Sequence, residues 1–360
     1  MSFTERFSSY FLANVFRATK PEKNFPHYMF PQLKEQDFKL WARSANRLHC
    51  HHKRYQYLLS RCADFEALYD DLETEASRNV LVESLVFGIL GPSYVKRNRN
   101  NQRYQQFCEL MNNPNFSVIR TSDPPDSLKT YKIMKYKIRD LGLTVLAQPG
   151  FIYETIFNHQ YTMLQAQPYI MVEKGDVVLD CGACFGDSSL LFAQMAGPEG
   201  KVYALECADV NIRVFQKNLD LNPTYRNNID IFKYAVSDES GQKLRFRYAQ
   251  GATAIKTELQ EDHESIEVES KSIDDFVAQT NLQKLDFMKM DIEGSEQAAL
   301  RGATKTLQRF RPKLAISVYH LIDDLIEIPK IIKSILPDYQ FYLEHHSIHA
   351  SETVLYGRPR

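Results

Sequence analysis

The 360-residue sequence predicts an α/β protein built on a doubly wound, mostly parallel β-sheet that finishes in an antiparallel hairpin. After Gly175, short apolar segments rich in Val, Ile, Phe and Tyr alternate with helical patterns, which is typical of such sheets. Two further strand-like segments, YQFYLEHH and ETVLYGR, are separated only by SIHAS. Because so short a connection cannot hold a crossover helix, these two strands must be antiparallel.

Composition narrows the possible functions. The formal net charge is −1 and no long run of Lys or Arg is present, so we expect no nucleic-acid partner. A hydrophobic share of 44% is sufficient for a packed core. No segment approaches the roughly 18 apolar residues of an integral membrane span, and no secretory signal is recognised. The six cysteines form no disulfide framework, and reduced thiols predict a cytoplasmic protein.

Residues 1–125 read as a mainly helical region that we expect to supply substrate or subunit contacts. Its clearest helical stretch is DFEALYDDLETEASRNVLVESLVFGILG, which stops before Pro92. Aromatic residues at helical spacing between Phe3 and Phe11 predict a face that packs on the core or forms a homo-oligomer. We interpret the basic segment Val95 to Arg103 and the histidine cluster His49 to His52 as solvated surface.

Residues 126–170 predict a β-hairpin lead-in, and residues 171–360 form the predicted α/β domain. In the lead-in, KTYKIMKYKIRDLGLTVLAQPG alternates apolar and polar residues around Gly142, as hairpin strands do. In the α/β domain, the pattern predicts strands at DVVLD, KVYALE, IDIFKYAV, LDFMKM and KLAISVY. Helices are predicted between most of them, for example at VNIRVFQKNLDLN and SEQAALRGATKTLQRF.

The first strand of this domain belongs to the most specific motif, VVLDCGACFGDSS. Asp180 ends the strand, and Gly182 and Gly186 allow the backbone to pass close to a ligand. Ligands of open α/β sheets bind beyond the carboxyl ends of the strands, which is where Asp180 is expected. Glu206 ends the next strand, the usual place for an acid that binds two ribose hydroxyls. The predicted ligand therefore contains a ribose.

The glycine spacing distinguishes between ribose-containing ligands. A dinucleotide site would read G-x-G-x-x-G and aim a helix N-terminus at pyrophosphate, whereas this sequence has G-x-x-x-G. Asp180 and Asp187 would repel a pyrophosphate but suit a ligand that carries an ammonium and a sulfonium. No G-K-[S/T] of a phosphate-binding loop follows. We therefore predict S-adenosylmethionine as the cofactor.

Two further segments complete the predicted site. In YAVSDESG, small residues leave room for an adenine ring, and Ser237 or Asp238 is expected to hydrogen-bond its edge; a plain polar turn is the alternative. In LDFMKMDIEGSE, Asp291 and Glu293 follow a strand and Glu296 opens a helix. We expect Glu296 to stabilise the helix N-terminus and Asp291 to face the ligand.

Taken in order, VVLDCGACFGDSS, YALE, KMDIEGSE, PKLAISVYH and HHS…ETVLYG resemble the FkbM-type S-adenosylmethionine-dependent methyltransferases. The segment FIYETIFNHQYTM is similar to that family's lead-in to the cofactor strand. The resemblance covers residues 131–360. It implies a class I methyltransferase fold and methylation of hydroxyl oxygens on sugars or polyketides. Such enzymes often serve polysaccharide, glycolipid or antibiotic pathways.

The resemblance adds residues to the predicted cofactor site. We assign Tyr161, from the lead-in, together with Ala183 and Cys207 to cofactor binding. The family more often has small or β-branched residues where Cys181 and Cys184 stand. We interpret these two cysteines as tolerated small hydrophobic residues, without a role as metal ligands.

Methyl transfer to an alcohol requires that the acceptor oxygen, the methyl group and the sulfur be aligned, and that a proton leaves the acceptor. His320 directly follows the fifth strand, and we predict it as the base, with Asp291 or His346 as the orienting or alternate group. A Mg²⁺ site built from Asp291, Glu293 and a histidine is an alternative that the pattern does not favour, so no metal ligand is assigned.

The expected acceptor is a small molecule or a glycan, covered by a polar wall from Ala249 to Ser265. His345 and His349 are expected to face solvent or a subunit contact. Two other functions are compatible with the same fold: N-methylation of a protein or lipid, and cofactor binding by a scaffold without catalysis. The presence of acids at both the ribose position and the strand tips argues against the scaffold.

Overall fold

A computed structural model of the protein describes residues 2–17, 54, 56–91, 95, 118–119, 133–249, 252–255, 265–347 and 349–360. The histidine cluster at 49–52, most of the basic segment at 95–103 and most of the expected acceptor wall at 249–265 lie outside these residues. Within the described ranges, no helix combines the length and the apolar character needed to cross a membrane.

A seven-stranded mixed sheet forms the centre of the fold. Its strands, in spatial order, are β13 (Tyr339–His345), β14 (Thr353–Pro359), β12 (Lys313–Ser317), β11 (Phe287–Met290), β4 (Val177–Cys181), β5 (Lys201–Leu205) and β6 (Ile229–Phe232). The five strands from β12 to β6 are parallel, and β14 runs antiparallel between β12 and β13. The predicted α/β class with its antiparallel hairpin is confirmed.

The order of the strands places one crevice at the edge of this sheet. The chain builds outward from β4 to β6 and then crosses back to β11, so the topological switch point lies between β4 and β11. Ligands of open α/β sheets bind at such a point, beyond the carboxyl ends of the strands. All four residues of β11 are buried, as expected for a central strand covered on both faces.

Helices cover both faces of the sheet: Asp187–Ala196, Asp209–Leu221, Ile273–Thr280, Glu296–Arg301, Thr304–Phe310 and Asp324–Ile335. The stretch predicted as one helix at SEQAALRGATKTLQRF is two helices that meet near Gly302. A Cβ on Gly302 would lie 2.5 Å from the carbonyl oxygen of Ser237. This close approach of two backbone segments explains why the position is a glycine.

The lead-in forms a small antiparallel sheet of β1 (Val118–Ile119), β2 (Met134–Ile138) and β3 (Leu143–Ala147). The predicted hairpin turns at Gly142, whose φ of 65° is left-handed, after the 3₁₀ turn Arg139–Leu141. The lead-in is not extended throughout, because a helical turn at Pro149–Phe151 continues into a π-helix, Ile152–Phe157.

A second small sheet, which the sequence analysis did not predict, lies beyond β6. It contains β7 (Ala235–Val236), β10 (Ser265–Lys271), β8 (Lys243–Ala249) and β9 (Ala252–Ile255) in that spatial order. The 3₁₀ helix Pro223–Asn228 precedes β6. The described part of the expected acceptor wall therefore forms strands.

The N-terminal helical region packs against the outer strand β13. Its helices are Phe3–Arg17, Cys62–Asp71 and Glu75–Leu90. The stretch predicted as one helix breaks between the last two of these, where Leu72 pairs with Phe341 of β13. The backbone N–H of Glu73 donates to the carbonyl oxygen of the same Phe341 over 3.0 Å. A tertiary contact thus overrides the helical pattern.

The predicted aromatic face contacts the core of its own chain. The ring centroid of Phe3 lies 6.5 Å from that of Phe65 and 5.8 Å from that of Tyr69. Phe3, Phe7 and the buried residues of β13 belong to one continuous hydrophobic core. The predicted boundaries at residues 125 and 170 stay predictions.

A buried ion pair connects the two strands at the switch point. Lys289 of β11 places Nζ 3.2 Å from Oδ1 of Asp180 in β4, and these side chains are only 3% and 0% exposed. Nζ also donates to the carbonyl oxygens of Cys181 (3.3 Å) and Gly182 (2.7 Å). Burial alone would lower the pKa of Lys289, but Asp180 and Asp291 hold it above its ordinary value.

We predict that Lys289→Met lowers the free energy of unfolding by about 3–5 kcal/mol, because Asp180 would remain buried without its cation. Urea denaturation monitored by circular dichroism measures this change. The matched control is Lys284→Met, since the Lys284 side chain is 55% exposed and its ion pair with Asp286 is accessible to solvent. The control should change the free energy of unfolding by less than about 1 kcal/mol. Equal effects of the two substitutions would contradict the prediction.

Candidate active site

A cleft of about 190 Å³ lies at the switch point, at the carboxyl ends of β4, β5 and β11. The β4 loop supplies Gly182 to Cys184, and the segment after β11 supplies Asp291 to Glu293. The lead-in supplies a further wall, with Phe151, Glu154, Thr155, Gln160 and Tyr161. The lead-in therefore closes the side of the cleft that the parallel sheet leaves open.

Gly182 shows why the loop after β4 needs a glycine. Its φ is 80°, and a Cβ at this position would lie 1.9 Å from the carbonyl oxygen of Asp291. The two ligand-facing segments are therefore in backbone contact. At Gly186, which begins the helix Asp187–Ala196, a Cβ would overlap the ring of Phe215. Gly186 thus permits helix packing and does not line the cleft.

Glu206 occupies the predicted ribose position. Its carboxylate is buried, lines the cleft and accepts hydrogen bonds from the backbone N–H groups of Cys184 and Ala208, each over 2.8 Å. These bonds fix the carboxylate between the β4 and β5 loops. Ala183 and Cys207, also assigned to cofactor binding, line the same part of the cleft.

After β6, the residues that line the cleft lie slightly upstream of those predicted to contact adenine. Tyr234, Ala235 and Val236 line the cleft. Ser237 and Asp238 are not among the lining residues; their hydroxyl and carboxylate lie 3.0 Å apart, and they pack against Gly302. The strand β7 ends before Ser237, so the chain has already turned away from the crevice at that point.

Asp180 and His346, two other predicted site residues, lie near the cleft but do not line it. The Asp180 carboxylate points into the protein, where Ser188 and Ser189 hydroxyls donate to Oδ2 over 2.7 and 2.6 Å, and Lys289 pairs with Oδ1. His346 is 1% exposed and lies between Tyr356, whose hydroxyl is 2.8 Å from Nε2, and the carbonyl oxygen of Asn158. Neither side chain lines the cleft.

Asp291 lies at the centre of the polar end of the cleft. Its Oδ2 accepts a hydrogen bond from the Tyr161 hydroxyl over 2.9 Å, and its Oδ1 accepts one from the Tyr319 hydroxyl over 3.2 Å. The Tyr319 hydroxyl also lies 3.4 Å from Oε2 of Glu352, which accepts from the amide of Gln160. The lead-in, β11, β12 and β14 thus meet at one hydrogen-bonded group.

His320 lies beside this group and is surrounded by carboxylates. Nε2 is 3.4 Å from Asp291 Oδ1 and 3.6 Å from Glu293 Oε2, and Nδ1 is 3.0 Å from Glu296 Oε1. Burial alone would lower the pKa of His320, but these three acids raise it to about 10. The imidazole therefore holds its proton at neutral pH. Its role as the base stays a prediction and requires that this proton first be lost.

The carboxylates at this end of the cleft have perturbed acidity. Burial, followed by the charge of Asp291, raises the pKa of Glu352 to about 8. Burial, opposed by His320, raises the pKa of Glu293 to about 7. Burial and Glu352 raise the pKa of Glu154 well above its ordinary value. Perturbed titratable groups clustered in a cleft are characteristic of functional sites.

Sequence reasoning missed Glu154, Tyr319 and Glu352. Glu154 lies in the π-helix Ile152–Phe157, a rare structure that often marks functional sites but has no reliable sequence signature. Tyr319 is the last residue before His320 in PKLAISVYH, and the strand pattern does not show that its hydroxyl reaches the cleft. Glu352 precedes β14, and its approach to the cleft depends on strand order.

Three non-glycine residues of the cleft have left-handed backbones. The φ angles of Cys184, Glu293 and Glu352 are 48°, 56° and 70°. Each such residue costs roughly 1–3 kcal/mol, and residues of this kind cluster at active sites and ligand contacts. The surrounding hydrogen bonds hold them in place.

Comparison with known protein families gives a match at this cleft. Residues 180–345 match the family model described as the Methyltransferase FkbM domain. This part of the chain is an FkbM methyltransferase domain. The FkbM domain starts at Asp180 and ends with β13, so it includes every strand of the central sheet except β14 and the first residues of β4.

One solved structure shows the same fold. Methyltransferase FkbM from Methylobacillus flagellatus KT superimposes with a TM-score of 0.53 at 20% identity, covering 84% of this chain and 60% of that one. The present chain thus spans less than two thirds of that neighbour. Fibrillarin from Methanococcus jannaschii gives a TM-score of 0.37 at 16% identity, covering 68% of this chain and 87% of that one. The search of curated proteins found no match. The class I methyltransferase fold that the resemblance implied is confirmed.

The raised pKa values of the acids in the cleft predict a pH-dependent stability. A carboxyl whose pKa rises from 4.5 to about 8 on folding, as for Glu352, stabilises the fold fully below pH 4.5. This contribution is lost as the pH rises through 8. We expect the thermal midpoint of the wild type to fall between pH 5 and pH 8, measured by scanning calorimetry.

Glu352→Gln should reduce this fall, because the amide cannot ionise. Glu173→Gln is the control, since the Glu173 side chain is 66% exposed and pairs with Lys313 at the surface. The control should retain the wild-type pH slope. A Glu352→Gln slope equal to that of the wild type would contradict the assignment.

Proposed function

We propose that this protein is an S-adenosylmethionine-dependent O-methyltransferase that modifies a hydroxyl of a sugar, glycan or related secondary metabolite. The observation that carries the proposal is the FkbM-domain cleft, in which an acidic ribose position and a polar acceptor end lie at the switch point of a class I fold. Methylation of such acceptors is what the family resemblance implies, and it fits a small-molecule cleft lined by hydrogen-bonding groups.

The residues of the cleft fit the cofactor. The backbone at Gly182 leaves no room for a Cβ, and Glu206 presents a fixed carboxylate where ribose hydroxyls would bind. Tyr234 to Val236 would contact the adenine. Several buried carboxylates line the same cleft, and they favour a ligand that carries positive charge. Tyr161 and Glu154 would face its methionine part.

The cofactor, when bound, supplies a methyl group attached to a sulfonium. In the transfer, an acceptor hydroxyl oxygen would form the new bond to the methyl carbon, the carbon–sulfur bond would break with its electron pair on sulfur, and the hydroxyl proton would pass to the Asp291 carboxylate. Asp291 can accept a hydrogen bond from this hydroxyl, and the donated bonds from Tyr161 and Tyr319 hold its carboxylate in place. His320 stands next to it at the acceptor end.

A second pocket supports an acceptor with an apolar part. A pocket of about 170 Å³ lies between the N-terminal helices and the segment after β12, and Tyr319 lines both this pocket and the cleft. Its described lining is mainly apolar and includes Phe65, Leu85 and Leu325. Leu321 and Ile322, 46% and 56% exposed, also line it. An acceptor that carries an alkyl or aromatic group beside its hydroxyl would fit this shape.

We predict that Glu206→Gln weakens cofactor binding by about 5- to 150-fold, because one ribose hydroxyl loses its acceptor at a cost of roughly 1–3 kcal/mol. Isothermal calorimetry with S-adenosylhomocysteine measures this. Glu199→Gln, at an exposed position, is the control and should bind as the wild type does. NAD should not compete. Unchanged affinity in a folded Glu206→Gln protein would contradict the ribose assignment.

Acceptor specificity can be tested with radiolabelled methyl transfer to a panel of matched compounds. The panel should pair glycosides that carry a methyl group with glycosides that carry an octyl group, and should include peptides and amino lipids. We expect label in ether-linked methyl groups and a higher kcat/KM for the octyl members. Label found only on nitrogen would favour an N-methyltransferase. No transfer, despite normal S-adenosylhomocysteine binding and a broad panel, would favour a non-catalytic scaffold.

A further inference from the structure

The polar end of the cleft brings together residues from two adjacent parallel strands. Asp291 directly follows β11, and His320 lies three residues beyond β12. Met290 pairs with Ile316 in the register of these strands, so their carboxyl ends emerge at the same edge. Glu293, in the turn after β11, has a left-handed φ of 56° that directs the chain back toward His320.

His320 is an unusual buried side chain. Its side chain is only 8% exposed, and Nδ1 has the Glu296 carboxylate as its partner at 3.0 Å, whereas Nε2 makes no hydrogen bond to any described residue. Buried polar groups of folded proteins are nearly always hydrogen-bonded, so a buried ring nitrogen without such a bond requires an explanation. Its Nε2 is directed at two carboxylates, Asp291 at 3.4 Å and Glu293 at 3.6 Å.

These separations match those between neighbouring ligands of a metal ion. Two neighbouring ligand atoms bound at about 2.0–2.2 Å to one ion lie about 2.8–3.6 Å apart, from octahedral to tetrahedral geometry. The distances from His320 Nε2 to the two carboxylate oxygens lie within or at the limit of this range. One ligand atom each from Asp291, Glu296 and His320 also lie within 4.8 Å of one another.

Glu296 supports the imidazole from its other side. Its Oε1 lies 3.0 Å from His320 Nδ1. The same carboxylate is fixed by the backbone N–H groups of Ile292 (2.7 Å) and Gly294 (3.0 Å). A carboxylate on the second ring nitrogen is the common arrangement for a metal-binding histidine, because it selects the tautomer that leaves Nε2 free to bind.

A metal ion could also replace the proton of His320 as the charge that balances the surrounding acids. Asp291, Glu293 and Glu296 lie around a single imidazole, and Lys289 is already engaged by Asp180 and two backbone carbonyls. If the imidazole is neutral, the buried Glu296 and the partly exposed Asp291 and Glu293 have no compensating charge nearby, which is unfavourable. A divalent cation between Nε2 and the two facing acids would offset this charge.

We propose that Asp291 and His320 bind a divalent cation beside the acceptor end of the cleft, with Glu296 orienting the imidazole and Glu293 facing Nε2. The mixed imidazole and carboxylate donors suit first-row ions such as Mn²⁺, Fe²⁺ or Zn²⁺. If the proposed methyl transfer is correct, on which this role rests, the ion binds the acceptor oxygen and lowers the pKa of the hydroxyl that reacts. Ion binding itself does not depend on that role.

The test uses Mn²⁺ as the probe on the full chain, freed of metal with a chelator and then dialysed. Electron paramagnetic resonance of free Mn²⁺ should show one saturable site per chain. Echo-modulation spectra of the bound ion should contain nitrogen coupling from an imidazole. Asp291→Asn and His320→Gln should each weaken binding by about 10- to 100-fold or more. Glu173→Gln, an exposed acid far from the cleft, should bind Mn²⁺ as the wild type does.

The outcomes separate this proposal from the proposed function. Absence of a saturable Mn²⁺ site in the wild type overturns the metal site, whether or not the variants fold. A site without nitrogen coupling, or one retained in both folded cleft variants, overturns it as well. S-adenosylhomocysteine binding by calorimetry is measured on the same samples. Normal cofactor binding with no Mn²⁺ site would leave the methyltransferase proposal intact and remove the metal.

Discussion

The ion pair between Lys289 and Asp180 is the constraint on which the cleft depends. It joins β11 to β4 at the switch point, and the same ammonium holds the carbonyl oxygens of Cys181 and Gly182. Gly182 is thereby kept against the backbone of Asp291. The loop that would contact the cofactor and the acid that would contact the acceptor are consequently fixed relative to each other by one buried cation.

The sequence predicted the parts of the structure that depend on local pattern. Strands of the central sheet are short apolar segments, so the α/β fold class could be predicted. The SIHAS connection is too short for anything but an antiparallel pair, so the C-terminal hairpin could be predicted as well. Gly182 and Glu206 were found because their positions follow directly from the ends of β4 and β5. Residues adjacent to a strand end are the ones that such reasoning can place.

The sequence pattern could not predict the role of a residue whose contacts are distant in the chain. Asp180 was expected to face the ligand, but its partner Lys289 is more than a hundred residues away, and the ion pair holds the Asp180 carboxylate inside the protein. His346 belongs to the packing between β14 and the lead-in. Glu352 enters the cleft only because β14 lies beside β12. No periodic pattern in the sequence predicts these contacts.

The position of β14 also affects how the protein is made. β14 lies between β12 and β13, although both precede it in the chain. Until residues 353–359 have left the ribosome, β12 presents an unpaired edge and β13 has no neighbour in the sheet, which is the type of surface that aggregates or recruits chaperones. Glu352, which lines the cleft, directly precedes β14 and is therefore synthesised immediately before this strand. Biosynthesis therefore completes the sheet and the cleft in a single late step, and partly translated chains have neither.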